Sequence, residues 1–90
     1  MQGPKVNTAQ AEQIIQYLTT KVLRDPNAHI DLDTPLVSSG MVDSFALLET
    51  LLELEKVTNR QIPPLKVESK DMDTVRLMFS TAARVGKPRK

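Results

Sequence analysis

Three stretches of this chain repeat their apolar residues at helical spacing, and no stretch alternates with period two for long enough to form a convincing strand. That pattern confines the fold to helices packed on helices. In the first stretch Ala11, Ile14, Ile15, Leu18 and Val22 share one face, and Asn7 or Thr8 can cap a helix running to about Leu23. In the second, Ser44–Thr58, the residues Leu47, Leu51 and Leu54 form one stripe, and Phe45, Leu48 and Leu52 form another. In the third, Val75, Met78, Phe79 and Ala82 line a helix capped by Asp73 or Thr74 and stopped after Val85 by Gly86 and Pro88. Ile62-Pro63-Pro64 breaks the chain between the last two, leaving room over residues 65–70 for one short helical turn.

The connection 24–42 is long for a ninety-residue chain. It holds two prolines, several turn formers and Gly40, and Ile30, Leu32, Leu36 and Val37 are the residues expected to pin it to the core. Residues 1–6 read as disordered, residues 7–85 as a single domain and residues 86–90 as a basic tail.

Several kinds of chemistry are excluded by what the chain lacks. It has no cysteine, hence no disulfide, no thiolate metal site and no thiol nucleophile of its own. Its one histidine, His29, reads as a solvated loop residue, and no carboxylate spacing makes up a metal site, so no metal is expected. Asp31 and Asp33 read as a polar turn. With only Tyr17, Phe45 and Phe79 as aromatics, there is no stacking platform for single-stranded nucleic acid. No apolar run is long enough to insert in a membrane and no signal-peptide pattern is present, which gives the expectation of a soluble, cytoplasmic monomer.

Net charge is +1, but it is unevenly spread. Residues 25–55 hold seven acids (Asp25, Asp31, Asp33, Asp43, Glu49, Glu53, Glu55) and no lysine or arginine, whereas residues 84–90 hold four bases. The acidic half is either an ordinary solvated surface or a docking surface for basic partners.

Asp43-Ser44 is the most informative pair. It follows Gly40-Met41-Val42 and opens the leucine-rich second helix. Asp43 is the expected N-cap. Ser44 in the first turn is either a capping residue or a hydroxyl held out for a large group, and a phosphate there would meet unpaired N–H groups and the positive end of the helix dipole. Gly40 lets the chain turn sharply ahead of it. Ser44 has no evident general base, and the chain has no Gly-rich phosphate loop, so no catalytic residue is assigned. The second helix carries more apolar width than one core requires. Either a small bundle surrounds it or it meets something outside.

The stretch Asp33-Thr-Pro-Leu36, then Ser39-Gly-Met-Val-Asp43-Ser44-Phe-Ala-Leu47-Leu48-Glu49, Leu54-Glu55 and Gln61-Ile62-Pro63 resembles the acyl and peptidyl carrier protein family. From Asp43 to Pro63 the match needs no gap; Asp73-Thr74-Val75 is similar to the start of the family's last helix, and the likeness spans roughly residues 9–85. The resemblance implies an all-α fold: a small four-helix bundle of three main helices plus one short helix, with a long first loop. It implies that Ser44 is the attachment point of 4′-phosphopantetheine, with Asp43 beside it, and that a phosphopantetheinyl transferase moves the group there from coenzyme A. The arm's thiol would then hold an acyl or aminoacyl group as a thioester. The protein would be a carrier, not an enzyme, loaded by an adenylating ligase or acyltransferase and visited by downstream acyl-processing enzymes. The positions matching the family's partner surface are Phe45, Ala46, Leu48, Glu49, Leu52, Glu55 and Lys56.

Ala46 and Lys56 stand where fatty-acid-type carriers usually have acids, and Gly-x-x-Asp-Ser is one residue longer than their usual form. The spacing is similar to D-alanyl and peptidyl carriers, which implies a stand-alone carrier for a dedicated pathway. The alternative is a helical adaptor that binds another protein through Leu48 and Leu52, with Ser44 only a helix cap.

Overall fold

A computed structural model of the chain describes residues 7–25 and 27–88. The expected disorder of residues 1–6 and the last two residues of the basic tail lie outside them. Asn7 opens the first helix by accepting the Gln10 N–H on Oδ1 at 3.1 Å. Helix α1 (Thr8–Tyr17) continues into a π-helical turn, Leu18–Val22, so the helical segment ends close to where its periodicity does. The widening has a local cause. The hydroxyls of Thr19 and Thr20 both donate to the Gln16 carbonyl, at 3.1 and 2.7 Å, and compete with the backbone for that acceptor.

Helix α2 (Ser44–Thr58) is capped by Asp43 and ends on Asn59 at φ 55°, a left-handed residue that asparagine tolerates. Helix α3 (Val75–Val85) is capped by Thr74, whose hydroxyl accepts the Leu77 N–H at 3.0 Å. Of the two capping candidates at this point, Asp73 is therefore free for other work.

The three helices share one core. Ala11, Ile14 and Leu18 meet Leu51 and Leu54 of α2 and Val75, Met78, Phe79 and Ala82 of α3, all buried. Each fully buried leucine, isoleucine or valine contributes about 1.5–3 kcal/mol. The 24–42 connection adds Ile30, Leu36 and Val42, with Leu32 half-buried against them. Val37 is a correction: it is half-buried and does not join the core, where Val42 does instead.

The architecture is mostly helical, but a four-helix bundle is not clearly formed. In place of the short fourth helix, residues 64–72 make two 3-10 turns, Pro64–Lys66 and Ser69–Met72. Pro64 pushes the residue before it toward extended backbone, Pro63 is extended accordingly and Val67 is extended again, so the turn is bounded on both sides. Met72 from the second turn is buried in the core. The expectation of no strand also needs correcting. Arg60–Gln61 (β1) pairs antiparallel with Lys87–Pro88 (β2), Arg60 opposite Pro88 and Gln61 opposite Lys87.

Candidate functional site

The first turn of α2 is assembled from both directions along the chain. Upstream, Leu36 is fully buried and accepts the Val42 N–H on its carbonyl at 3.0 Å. Gly40, at φ 84°, makes the reversal between them, a backbone angle that L side chains rarely adopt. Val42 then drops into the core. Downstream, Asp43 Oδ1 accepts the Ala46 N–H at 2.8 Å and the Asp43 carbonyl accepts the Leu47 N–H at 2.8 Å.

This arrangement divides the labour within the Asp43-Ser44 pair. Asp43 is the cap. Ser44 is the first helical residue; it is exposed, and among the described residues none hydrogen-bonds to its Oγ. The N–H groups of Ser44 and Phe45 belong to the set that a helix leaves without intrahelical acceptors, so a phosphodiester on Ser44 Oγ would meet free donors and the positive helix end. Beside Ser44 lies a cleft of about 90 Å³, with Leu47, Leu48 and Leu51 on one wall and Val67 and Met72 on the other. The residues present therefore fit a phosphate-linked arm: an unobstructed hydroxyl, an electropositive helix end and an apolar furrow next to both.

Around α2 the residues expected at a partner surface separate into three groups. Phe45, Leu48 and Leu52 are 72%, 54% and 59% exposed, and Glu49 and Lys56 are exposed beside them. The second apolar stripe therefore faces outward among the described residues. Ala46 is half-buried and packs on the core. Glu55 is half-buried as well, and its Oε2 accepts the Ile62 N–H at 2.7 Å, which ties the end of α2 to the following break. Tyr17 of α1 stands near the other flank, where its own burial, with Glu49 and Glu53 nearby, raises its hydroxyl pKa.

Asp31 and Asp33 have structural partners. Asp31 Oδ1 accepts from the Asp33 N–H and the Thr34 hydroxyl, the polar turn expected there, and those bonds hold its carboxyl below the usual range. Asp33 forms a two-pronged pair with Arg76 at 2.8 and 3.1 Å. His29 is exposed. Among the described residues no group of three or more histidines or acids is placed to hold a metal, and no helix is long and apolar enough to cross a membrane. The sequence offered Asp73 only as an alternative cap for α3; its carboxylate instead reaches back to the loop before Ser44, a contact with residues more than thirty positions upstream that no local signal marks.

A search of curated proteins finds no match. A family model described as "phosphopantetheine attachment site" matches residues 12–76, well over half of the chain and a span that includes Asp43, Ser44 and the whole of α2. The chain belongs to the phosphopantetheine attachment site family, and it is a carrier domain for a covalently held 4′-phosphopantetheine.

Proposed function

We propose that Ser44 is the residue that takes the phosphopantetheine, and that the loaded chain presents an acyl or aminoacyl thioester to the enzymes of one dedicated pathway. The observation that carries this reading is the separation of cap from hydroxyl: Asp43 caps the helix by accepting the Ala46 N–H, while Ser44 is exposed and no described residue hydrogen-bonds to its Oγ. Phe45, Leu48, Glu49, Leu52 and Lys56 form the docking face for the phosphopantetheinyl transferase and the loading enzyme, an adenylating ligase or acyltransferase. The Gly-x-x-Asp-Ser spacing and the near-neutral chain favour a D-alanyl or peptidyl type of carrier over a general fatty-acid one.

Incubation with coenzyme A and a broad-specificity phosphopantetheinyl transferase tests the reading. Intact mass should rise by one phosphopantetheine, and peptide mapping should find it on Ser44. Ser44→Ala should take none. A wild-type chain left unmodified by several such transferases would instead favour the adaptor, in which the exposed Leu48 and Leu52 bind another protein and the hydroxyl is idle.

A further inference from the structure

The segment that leads into Ser44 is held from the start of α3. Val37 and Ser38 both donate their N–H groups to Asp73 Oδ1 at 2.8 Å. The Ser38 hydroxyl donates to Oδ2 at 2.9 Å, and the Leu36 N–H donates to the Asp73 carbonyl at 2.7 Å. Four donors from three consecutive residues thus converge on one aspartate far along the chain. The Ser38 N–H is the first cause, and the Ser38 hydroxyl and Val37 N–H further ones, that hold the Asp73 carboxyl below its ordinary range, as expected for a carboxylate that collects several donors.

From that anchor the path to Ser44 is short and continuous. Gly40 N–H donates to the Val37 carbonyl and Val42 N–H to the Leu36 carbonyl, each at 3.0 Å. Val42 is buried, the next residue caps α2, and the next is Ser44. Asp73 is not needed by its own helix, since Thr74 caps α3. A second tie between α3 and the same loop exists, Arg76 to Asp33 and to the Leu32 carbonyl, but it grips the loop upstream of the turn.

We infer that Asp73 is a positioning residue for modification: by fixing the 36–42 turn it sets the attitude at which α2 presents Ser44 to the transferase. The inference rests on Ser44 being the attachment residue. Without the Asp73 carboxylate the turn samples several arrangements, and the transferase must bind the fraction that is correctly set. Apparent affinity falls by that fraction, while turnover of the bound, correctly set carrier does not. Asp73→Asn keeps an oxygen for the two N–H groups and an amide that can donate to the Ser38 hydroxyl, so it should largely preserve the turn.

The test is steady-state phosphopantetheinylation with carrier concentration varied, at a temperature where circular dichroism shows every variant folded. Asp73→Ala should raise the KM for carrier by about tenfold with kcat within about twofold, the signature of a competent fraction near one in ten. Asp73→Asn should restore most of the affinity, and Ser38→Ala, a milder change, should raise KM by a smaller factor. Asp33→Asn weakens the other loop tie and should leave KM near wild type. Wild-type KM in both Asp73→Ala and Ser38→Ala, or an equal rise in Asp33→Asn, overturns the inference while leaving Ser44 as the site. A wild-type chain that accepts no group overturns the reading beneath it and the inference with it.

Discussion

Asp43 and Ser44 are adjacent, yet they should answer mutation in opposite ways. Asp43→Ala strips the acceptor from the Ala46 N–H, a loss of about 1 kcal/mol for an N-cap. In a domain of this size that is a fall in Tm of about 4–8 °C. Ser44→Ala removes no hydrogen bond made among the described residues, so its melting curve should overlay that of the unmodified wild type although it accepts no phosphopantetheine. Equal destabilisation by both changes would mean that Ser44 shares the capping and is not simply presented. Asp73 belongs to the same scale and gives a pH prediction. Its carboxyl pKa is lowered in the fold by the donors from Ser38 and Val37, so the folded state favours the ionised form. Stability from this group is therefore full above the unfolded carboxylate pKa of about 4 and is lost as pH falls through the lower folded value. Urea titrations should show wild type more stable than Asp73→Asn near pH 7, with the gap closing in strong acid. Asp31 and Asp33 are lowered too, so both proteins should weaken there, but only the difference between them reports Asp73. A gap that does not change with pH would show that the carboxylate charge adds nothing to the turn. Asp43 and Gly40 were legible in the sequence because a cap and a chain reversal are local matters. Asp73 was not, because its partners, Val37 and Ser38, lie more than thirty residues upstream.

At the scale of the element, α2 shows why a helix with two apolar stripes need not be buried on both. Leu51 and Leu54 are buried and Leu47 half-buried, whereas Phe45, Leu48 and Leu52 project outward. The two faces should separate cleanly by mutation. Leu51→Ala is expected to cost about 2–5 kcal/mol of folding stability through the cavity it leaves. Leu52→Ala should change stability by no more than about 0.5 kcal/mol. As an exposed apolar anchor it should instead reduce modification by the transferase by about fivefold or more, the equivalent of a hot-spot loss above 1 kcal/mol. Glu49→Lys should act mainly on association rate and its salt dependence. Helical circular dichroism and modification kinetics, measured on the same preparations, check both halves; wild-type kinetics for Leu52→Ala and Glu49→Lys together would remove α2 from the docking face. The periodicity of the three helices was readable because each extends over ten or more residues, long enough for a 3.6-residue repeat to register. In the segment 64–72 one short turn was expected over residues 65–70 and two formed, since turns of three and four residues carry no periodic signal to fix their number or bounds. Glu55 shows the same limit. Its place on the helix fits a docking role, but a carboxylate half-buried against the Ile62 N–H depends on how the chain folds back after Asn59.

Across the whole molecule, the two ends of α2 carry different kinds of work. Ser44 starts the helix, and fifteen residues later it ends beside the β1–β2 ladder, about 20 Å away at 1.5 Å per residue. Charge does not follow that division: Glu53 and Glu55 stand in the last turns of α2, and Glu55 lines one cleft with Lys87, next to the ladder that holds Arg60 and Lys87. Lys87, assigned by sequence to a basic tail, is thus part of a strand pair, and Arg60 Nη1 donates to the Gly86 carbonyl at 3.2 Å alongside it. A two-residue ladder is too short to be seen as alternation, and the run of bases alone says nothing of where it folds. Truncation after Gly86 separates fold from function here. It removes β2 and the last basic residues but keeps Gly86 as the acceptor for Arg60. The lost ladder bonds are few and lie at the surface, so stability should fall by about 1 kcal/mol. Because Ser44 and the exposed face of α2 beside it are untouched, the rate of phosphopantetheine transfer and its decline with added salt should stay within about twofold of wild type at each ionic strength. If truncation instead flattens that salt dependence or slows transfer, the basic end is reading the partner after all. Docking would then span the length of the helix and not be confined to the face that flanks Ser44.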